Sequence, residues 1–182
     1  RTGDNFIGGD AHDGPMPLDY FVWAITNKKR TIILDTGFSL DTAKIRGREY
    51  LRSPGVGLGM IGIEPSKIKN VIISHMHYDH SGNEKLFPNA IYHLQDSEMA
   101  FCTGRNMCHE AINHPFSEDD VVAMVRRVFA GRVKFHDGTS ELAPGITLHR
   151  IGGHTMGLQV VRVWTKRGWM VLASDASHFY AN

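Results

Sequence analysis

The segment "SHMHYDHSGN", residues 74–83, places His75, His77, Asp79 and His80 within six positions, directly after the apolar run "VII". Neutral imidazoles and a carboxylate that converge on one point suit Zn2+ or a similar divalent ion. In an extended chain alternate side chains share a face, so His75, His77 and Asp79 are expected to point together, with a turn bringing in His80. Packing gives no reason for such a cluster, because buried polar groups without partners cost stability. The plain alternative is a solvated histidine-rich turn. Four donors suffice for one ion, and a second ion would need later residues. Taken alone, a later histidine such as His154 reads as an ordinary surface or hydrogen-bonded residue. "GGHTMGLQ" (152–159) lets the backbone turn tightly and present His154, and "LASDAS" (172–177) ends an apolar strand on Asp175. Asp35 in "ILDTG" (33–37) also follows a strand, although Asp-Thr-Gly is an ordinary turn sequence as well.

These residues need strands to carry them. "YFVWAIT" (20–26) and "TIILDTG" (31–37) read as two strands joined by the polar turn "NKKR", and "VIIS" (71–74) as a short buried one. "SLDTAKIRGREYL" reads as a short helix, whereas "PGVGLGMIGI" is left open. "GNEKLF" reads as one helical turn, "AIYHLQ" as a strand, and "DSEMAFC" as a helix start capped by Asp96. The clearest helix is "SEDDVVAMVRRVFAG" (117–131). Ser117 and Asp120 resemble a capping box there, Val121, Met124, Val125, Val128 and Phe129 form one face, and Gly131 ends it. Four strand-like segments follow: "RVKFHDG", "GITLHRI", "LQVVRVWT" and "WMVLASD". Strands outnumber helices, which implies sheets covered by helices.

Bulk composition narrows the function classes. A chain of 182 residues with 42% hydrophobic residues and a net charge of +1 has a sizeable core and no basic footprint. Nucleic acid and a membrane surface are therefore not expected partners. Cys102 and Cys108 are too few for a disulfide scaffold and are expected to be reduced packing residues, which favours a cytoplasmic setting. His12, His93, His109, His114, His136 and His149 lie outside the motifs and are expected to be surface or hydrogen-bonded structure. The chain starts at Arg1 without a methionine and stops at "SDASHFYAN", so it reads as an internal piece of a longer chain.

"ILDTG", "SHMHYDHSGN", "GGHTMGLQ" and "LASDAS", in that order, resemble the metallo-β-lactamase superfamily, and within it the N-acyl homoserine lactonase-like hydrolases. The resemblance runs from about Leu18 to the last residue. It implies an α+β fold, an αβ/βα sandwich of two mixed β-sheets flanked by helices with the site at one edge. Residues 1–182 would form one such domain, truncated at both termini. It also implies two divalent ions, most simply Zn2+. His75, His77 and His154 would hold the first, Asp79 and His80 the second, and Asp175 would bridge both, with Asp35 orienting the ligands from behind. One further histidine of the family's site comes after the bridging aspartate and is not among these residues, so the second ion would lack a ligand.

The implied reaction is opening of the ester ring of an N-acyl homoserine lactone, or a related lactone, through a metal-bridging hydroxide. Asp79 would carry a proton to the departing alkoxide. Many such lactonases place a tyrosine three residues after the bridging aspartate to polarise the carbonyl. Here that position is His178, with Tyr180 close by. The expected partner is a small-molecule lactone or ester, and a homodimer is compatible with the resemblance. Two alternatives share the motif: a glyoxalase II-type thioester hydrolase and a non-catalytic metal-binding fragment. The first would call for clustered Lys and Arg to grip a glutathione carboxylate, and the sequence shows no such set.

Overall fold

The run "TIIL" is apolar at successive positions, the pattern of a strand buried on both faces. In the computed structural model, which describes residues 14–179, it forms β2 (Thr31–Leu34). Side chains alternate along a strand, and this divides the core in two. Ile33 packs with Val71, Ile73, Tyr92 and Leu94 on the side covered by helices. Ile32 and Leu34 turn the other way, onto Ile146, Leu148 and Val161 of the opposite sheet.

The first sheet has the order β1 (Trp23–Thr26), β2, β3 (Asn70–Ile72), β4 (Ile91–Gln95), β5 (Val133–His136). β1 is antiparallel to β2 and the other pairs are parallel, so this sheet is mixed. The second has the order β6 (Thr139–Ala143), β7 (Ile146–Arg150), β8 (Gln159–Thr165), β9 (Gly168–Leu172), and its described strands are all antiparallel. Met124 of helix Glu118–Phe129 and Cys102 of helix Asp96–Cys102 close the outer face of the first sheet together with Phe87 and Phe116. The result is the α+β sandwich flanked by helices. No helix among the described residues is long and apolar enough to cross a membrane.

Helix starts follow from local hydrogen bonding. Ser39, Ser53 and Ser117 each accept, through Oγ, an amide N–H from three residues on, at 3.1, 3.2 and 3.4 Å. Each bond satisfies a donor that the helix itself cannot. The stretch left open by sequence is helix Pro54–Met60, with proline in its first turn where a missing N–H costs nothing. Several expectations are corrected. Asp96 is the first helical residue and not the cap; Gln95 stands at the cap position and sends its side chain elsewhere. Phe129 is 90% exposed, so the buried face of its helix rests on Met124 and Val121. β6, "TSELA", was not anticipated, because it is a polar edge strand. Both cysteines are free thiols, but only Cys102 is buried.

The seam between the sheets is polar. Gln159 donates both hydrogens of Nε2, to Ile73 O at 2.7 Å and His93 O at 3.1 Å, and its own N–H goes to Ser74 O at 3.0 Å. Gln95 Nε2 donates to Gln159 Oε1 at 2.9 Å, while Gln95 Oε1 accepts from Gly138 N. Both glutamines are fully buried.

Two of the histidines outside the motifs, His93 and His136, are buried in a relay. Asn70 Oδ1 lies 3.0 Å from His93 Nε2, His93 Nδ1 lies 3.0 Å from His136 Nε2, and Ser140 Oγ lies 2.7 Å from His136 Nδ1. With Asn70 accepting, each ring is neutral, donates from Nε2 and accepts at Nδ1. Burial, with His136 and Lys134 beside it, pushes His93 down to about 4. An unfolded histidine binds its proton near 6.5, so between pH 6.5 and 4 unfolding takes up a proton and stability falls as the pH is lowered. The loss expected from His93 is about 3 kcal/mol at pH 4. Urea unfolding of the parent and His93→Asn across this range tests it: the parent should show the steeper acid loss, and parallel curves would refute it.

Candidate metal centre

The histidine-rich segment does not continue as one extended run. β3 stops at Ile72, and His77, with extended dihedrals (φ −66°, ψ 152°), leads into a single helical turn, Tyr78–Ser81. His77 pairs with Phe116 in an isolated bridge and packs edge-on against its ring at 4.6 Å. Asp79 and His80 therefore project from a helical turn. The expectation that Asp79 shares an extended face with His75 and His77 is corrected accordingly.

Folding brings the sequence-predicted residues together from both sheets. His77 Nδ1 lies 3.0 Å from His75 Nε2 and 3.0 Å from His154 Nε2. Asp175 sits beside this trio: its Oδ2 is 3.2 Å from His154 Nε2 and 3.8 Å from His75 Nε2. Its Oδ1 faces the other way, 3.3 Å from His80 Nε2, and Asp79 Oδ2 lies at the same distance from that nitrogen. His178 Nε2 meets Asp175 Oδ2 at 2.9 Å. His12 and Tyr180 lie outside the described residues.

Asp35 fixes His80 from behind. Its Oδ2 is 2.8 Å from His80 Nδ1, which leaves His80 Nε2 for the two aspartates in front. Asp35 also accepts the N–H and hydroxyl of Ser74, at 2.7 and 2.8 Å. Its φ of 63° is a left-handed conformation that Asp adopts more readily than most residues, and Ser174 shares it at φ 48°. Ser174 Oγ donates to Ser74 Oγ at 2.9 Å, tying the two strand ends beneath the cluster. Sequence reasoning missed Ser74 and Ser174; their positions directly before His75 and Asp175 were the available clue.

The electrostatics favour neutral imidazoles on one side of Asp175 and a charged one on the other. Burial, and the neighbouring His154, push His77 down to about 3. Burial with His80 and His77 nearby drives His75 down too. For His80, burial opposes protonation, but Asp35 and Asp175, with Asp79, outweigh it and raise its pKa. For Asp175, burial alone would raise the pKa; His154 and His80 reverse this and hold the carboxyl well below its usual range.

This donor set fits a divalent ion. A single lone pair on His77 Nδ1 cannot serve two neighbouring nitrogens, so hydrogen bonding does not account for the convergence. A tetrahedral ion with Zn–N distances of about 2.0–2.1 Å would hold its nitrogens about 3.3 Å apart, close to the spacing seen. Neutral histidine, the state favoured at His75 and His77, is the form that ligates metal, and an ion held at His80 would have to replace its Nε2 proton.

A family model for the metallo-β-lactamase superfamily matches residues 16–182. The chain belongs to the metallo-β-lactamase superfamily. Among its curated relatives in that superfamily is the N-acyl homoserine lactonase AiiB of Agrobacterium fabrum, 28% identical over 177 residues, 84% of this chain and 60% of the relative. An N-acyl homoserine lactonase from a Bacillus species is 31% identical over 126 residues, 69% of this chain and 45% of the relative. The chain thus spans about half of the length of these relatives. A solved quorum-quenching N-acyl homoserine lactone lactonase shares the fold with a TM-score of 0.72 at 22% identity, covering 91% of this chain and 66% of that one. An N-acyl homoserine lactone hydrolase with N-hexanoyl-L-homoserine at its catalytic metal centre also gives 0.72, at 21% identity, covering 92% and 69%.

Proposed function

We propose that this chain carries the metal-binding core of a hydrolase that opens the ring of N-acyl homoserine lactones or a related lactone. The observation that carries the proposal is the convergence of His75, His77, His154, Asp175, His80 and Asp79 at one edge of the sandwich, in a chain whose curated relatives are named lactonases. His75, His77 and His154 would hold one ion, Asp79 and His80 a second, and Asp175 would face both through its two oxygens. Bound there, divalent ions, most simply Zn2+, supply a Lewis acid for the carbonyl and ionise water near neutral pH.

The chain's own residues do the rest. A cavity of about 480 Å³ opens beside Asp79, His80, Asp175 and His178. Leu18, Phe21 and Trp23 on one wall, with Met170 and Val171 on the other, give it an apolar lining suited to an acyl tail. Asp79, which lines this cavity, would accept a proton and return it to the departing alkoxide. His178 lines the same cavity with its Nε2 2.9 Å from Asp175 Oδ2, and would offer a hydrogen-bond donor to a developing oxyanion.

Proton release from a long-chain N-acyl homoserine lactone, followed with a pH indicator on metal-loaded protein, tests the reading, with a glutathione thioester run alongside. Lactone opening that a chelator abolishes, with a silent thioester, is the expected result. A silent lactone would move the substrate elsewhere, to the thioester if that one reacts.

A further inference from the structure

Against the loops that carry the three imidazoles lies a carboxylate that the proposed chemistry does not use. Glu98, in the first turn of helix Asp96–Cys102, is fully buried. Its Oε1 accepts the N–H of Met76 at 2.8 Å, and Met76 stands between His75 and His77. Its Oε2 accepts the hydroxyl of Thr155 at 2.6 Å and the N–H of Gly157 at 2.9 Å, just after His154. We infer that Glu98 is a positioning residue: one carboxylate ties the loop bearing His75 and His77 to the loop bearing His154, and so sets the spacing of the three nitrogens. The inference rests on the reading that these three histidines hold an ion.

A second observation supports the tie. A Cβ at Gly157 would fall 2.2 Å from Glu98 N and 2.5 Å from Glu98 Cα. The His154 loop therefore meets the helix at backbone contact, a distance only glycine permits. This explains the third glycine of "GGHTMGLQ" without any role in turning the chain. A side chain that served packing alone would not need three convergent polar donors. Each of the two loops instead contributes an N–H, with one hydroxyl in addition, and all three bonds end on the same two oxygens. Groups that orient metal ligands in this way change metal affinity by about 10–100-fold when replaced.

The test uses Co2+ as the probe, titrated into metal-free protein and read by its visible ligand-field bands, with thermal unfolding of the metal-free forms alongside. Glu98→Gln keeps the size but turns an amide NH2 toward N–H donors, so at least one bond is lost. The expected result is about 10–100-fold weaker binding of the first Co2+ and a shifted spectrum. Thr155→Val, which removes one donor and keeps the shape, should move both readouts the same way by less. It carries the test if Glu98→Gln does not fold. Variants that melt earlier but bind Co2+ with the parent's affinity and spectrum would overturn the inference and leave Glu98 as structure only. A parent that shows no Co2+ bands would instead remove the ligand reading, and this inference with it.

Discussion

Replacing His77 with alanine is expected to leave the chain without a tightly held ion and to lower kcat/KM for a lactone by about 10³-fold or more. The position is central: its Nδ1 is the atom that both His75 Nε2 and His154 Nε2 approach at 3.0 Å. Removing it leaves two imidazoles and a carboxylate already shared with His80 and His178. A Lewis acid at a carbonyl is worth several kcal/mol of transition-state stabilisation, and each 1.36 kcal/mol is tenfold in rate. Metal content per chain after gel filtration, measured beside steady-state kinetics, decides the matter. Parental stoichiometry and parental kcat/KM together would exclude His77 as a ligand.

The second large effect is expected from Asp79→Asn, and here the loss should fall on kcat. Burial works against ionisation of Asp79, but His80, with its Nε2 at 3.3 Å, outweighs this and holds the carboxyl below its ordinary value. Asp79 is thus ionised and able to take up a proton at neutral pH. Asparagine has the same shape and still offers an oxygen, but it cannot carry a proton. Loss of a positioned proton carrier costs about 10²–10⁴-fold, whereas KM should move little because the apolar walls of the cavity are untouched. A variant with the parent's kcat would take proton transfer away from Asp79.

Most of the proposed ligand set was legible in the sequence because each of its residues sits beside a feature with a strong local signal. His75 follows a continuous apolar run, Asp175 ends one, and His154 follows a glycine pair. Asp35 was harder to read, since its turn sequence is common; only the fold places its carboxylate against His80 Nδ1. The residues that hold the ligands from behind were not legible. Ser74 and Ser174 offered only their places directly before His75 and Asp175, and Glu98 offered no spacing signal, because the bonds that define their roles reach across 100 residues in one case and 59 in another. In the fold, buried strands and the helix capped by Ser117 were readable from apolarity and capping chemistry, whereas the glycine-rich helix capped by Ser53 was not. β6 and the direction of Phe129 were not, since a polar edge strand lacks a hydrophobic period and helical periodicity does not say where the covering layer stops. The relay through His93 and His136 was expected only as surface or hydrogen-bonded histidine, and its burial depends on strands that bring together residues 43 apart in the chain.

The glutamine pair at the seam has a consequence for how this fold tolerates change. An interface made only of aliphatic side chains can slide by fractions of an ångström as methyl groups are swapped, because dispersion is weakly directional. Gln159 allows no such drift. Its two hydrogens are aimed at two carbonyls of the facing sheet, and displacement would break a buried bond on either side. Aliphatic positions such as Ile32, Leu148 and Val161 are therefore free to exchange volume with one another while the two sheets keep their alignment. The alignment of the loops that carry the cluster thus rests on two uncharged amides at the ends of β4 and β8.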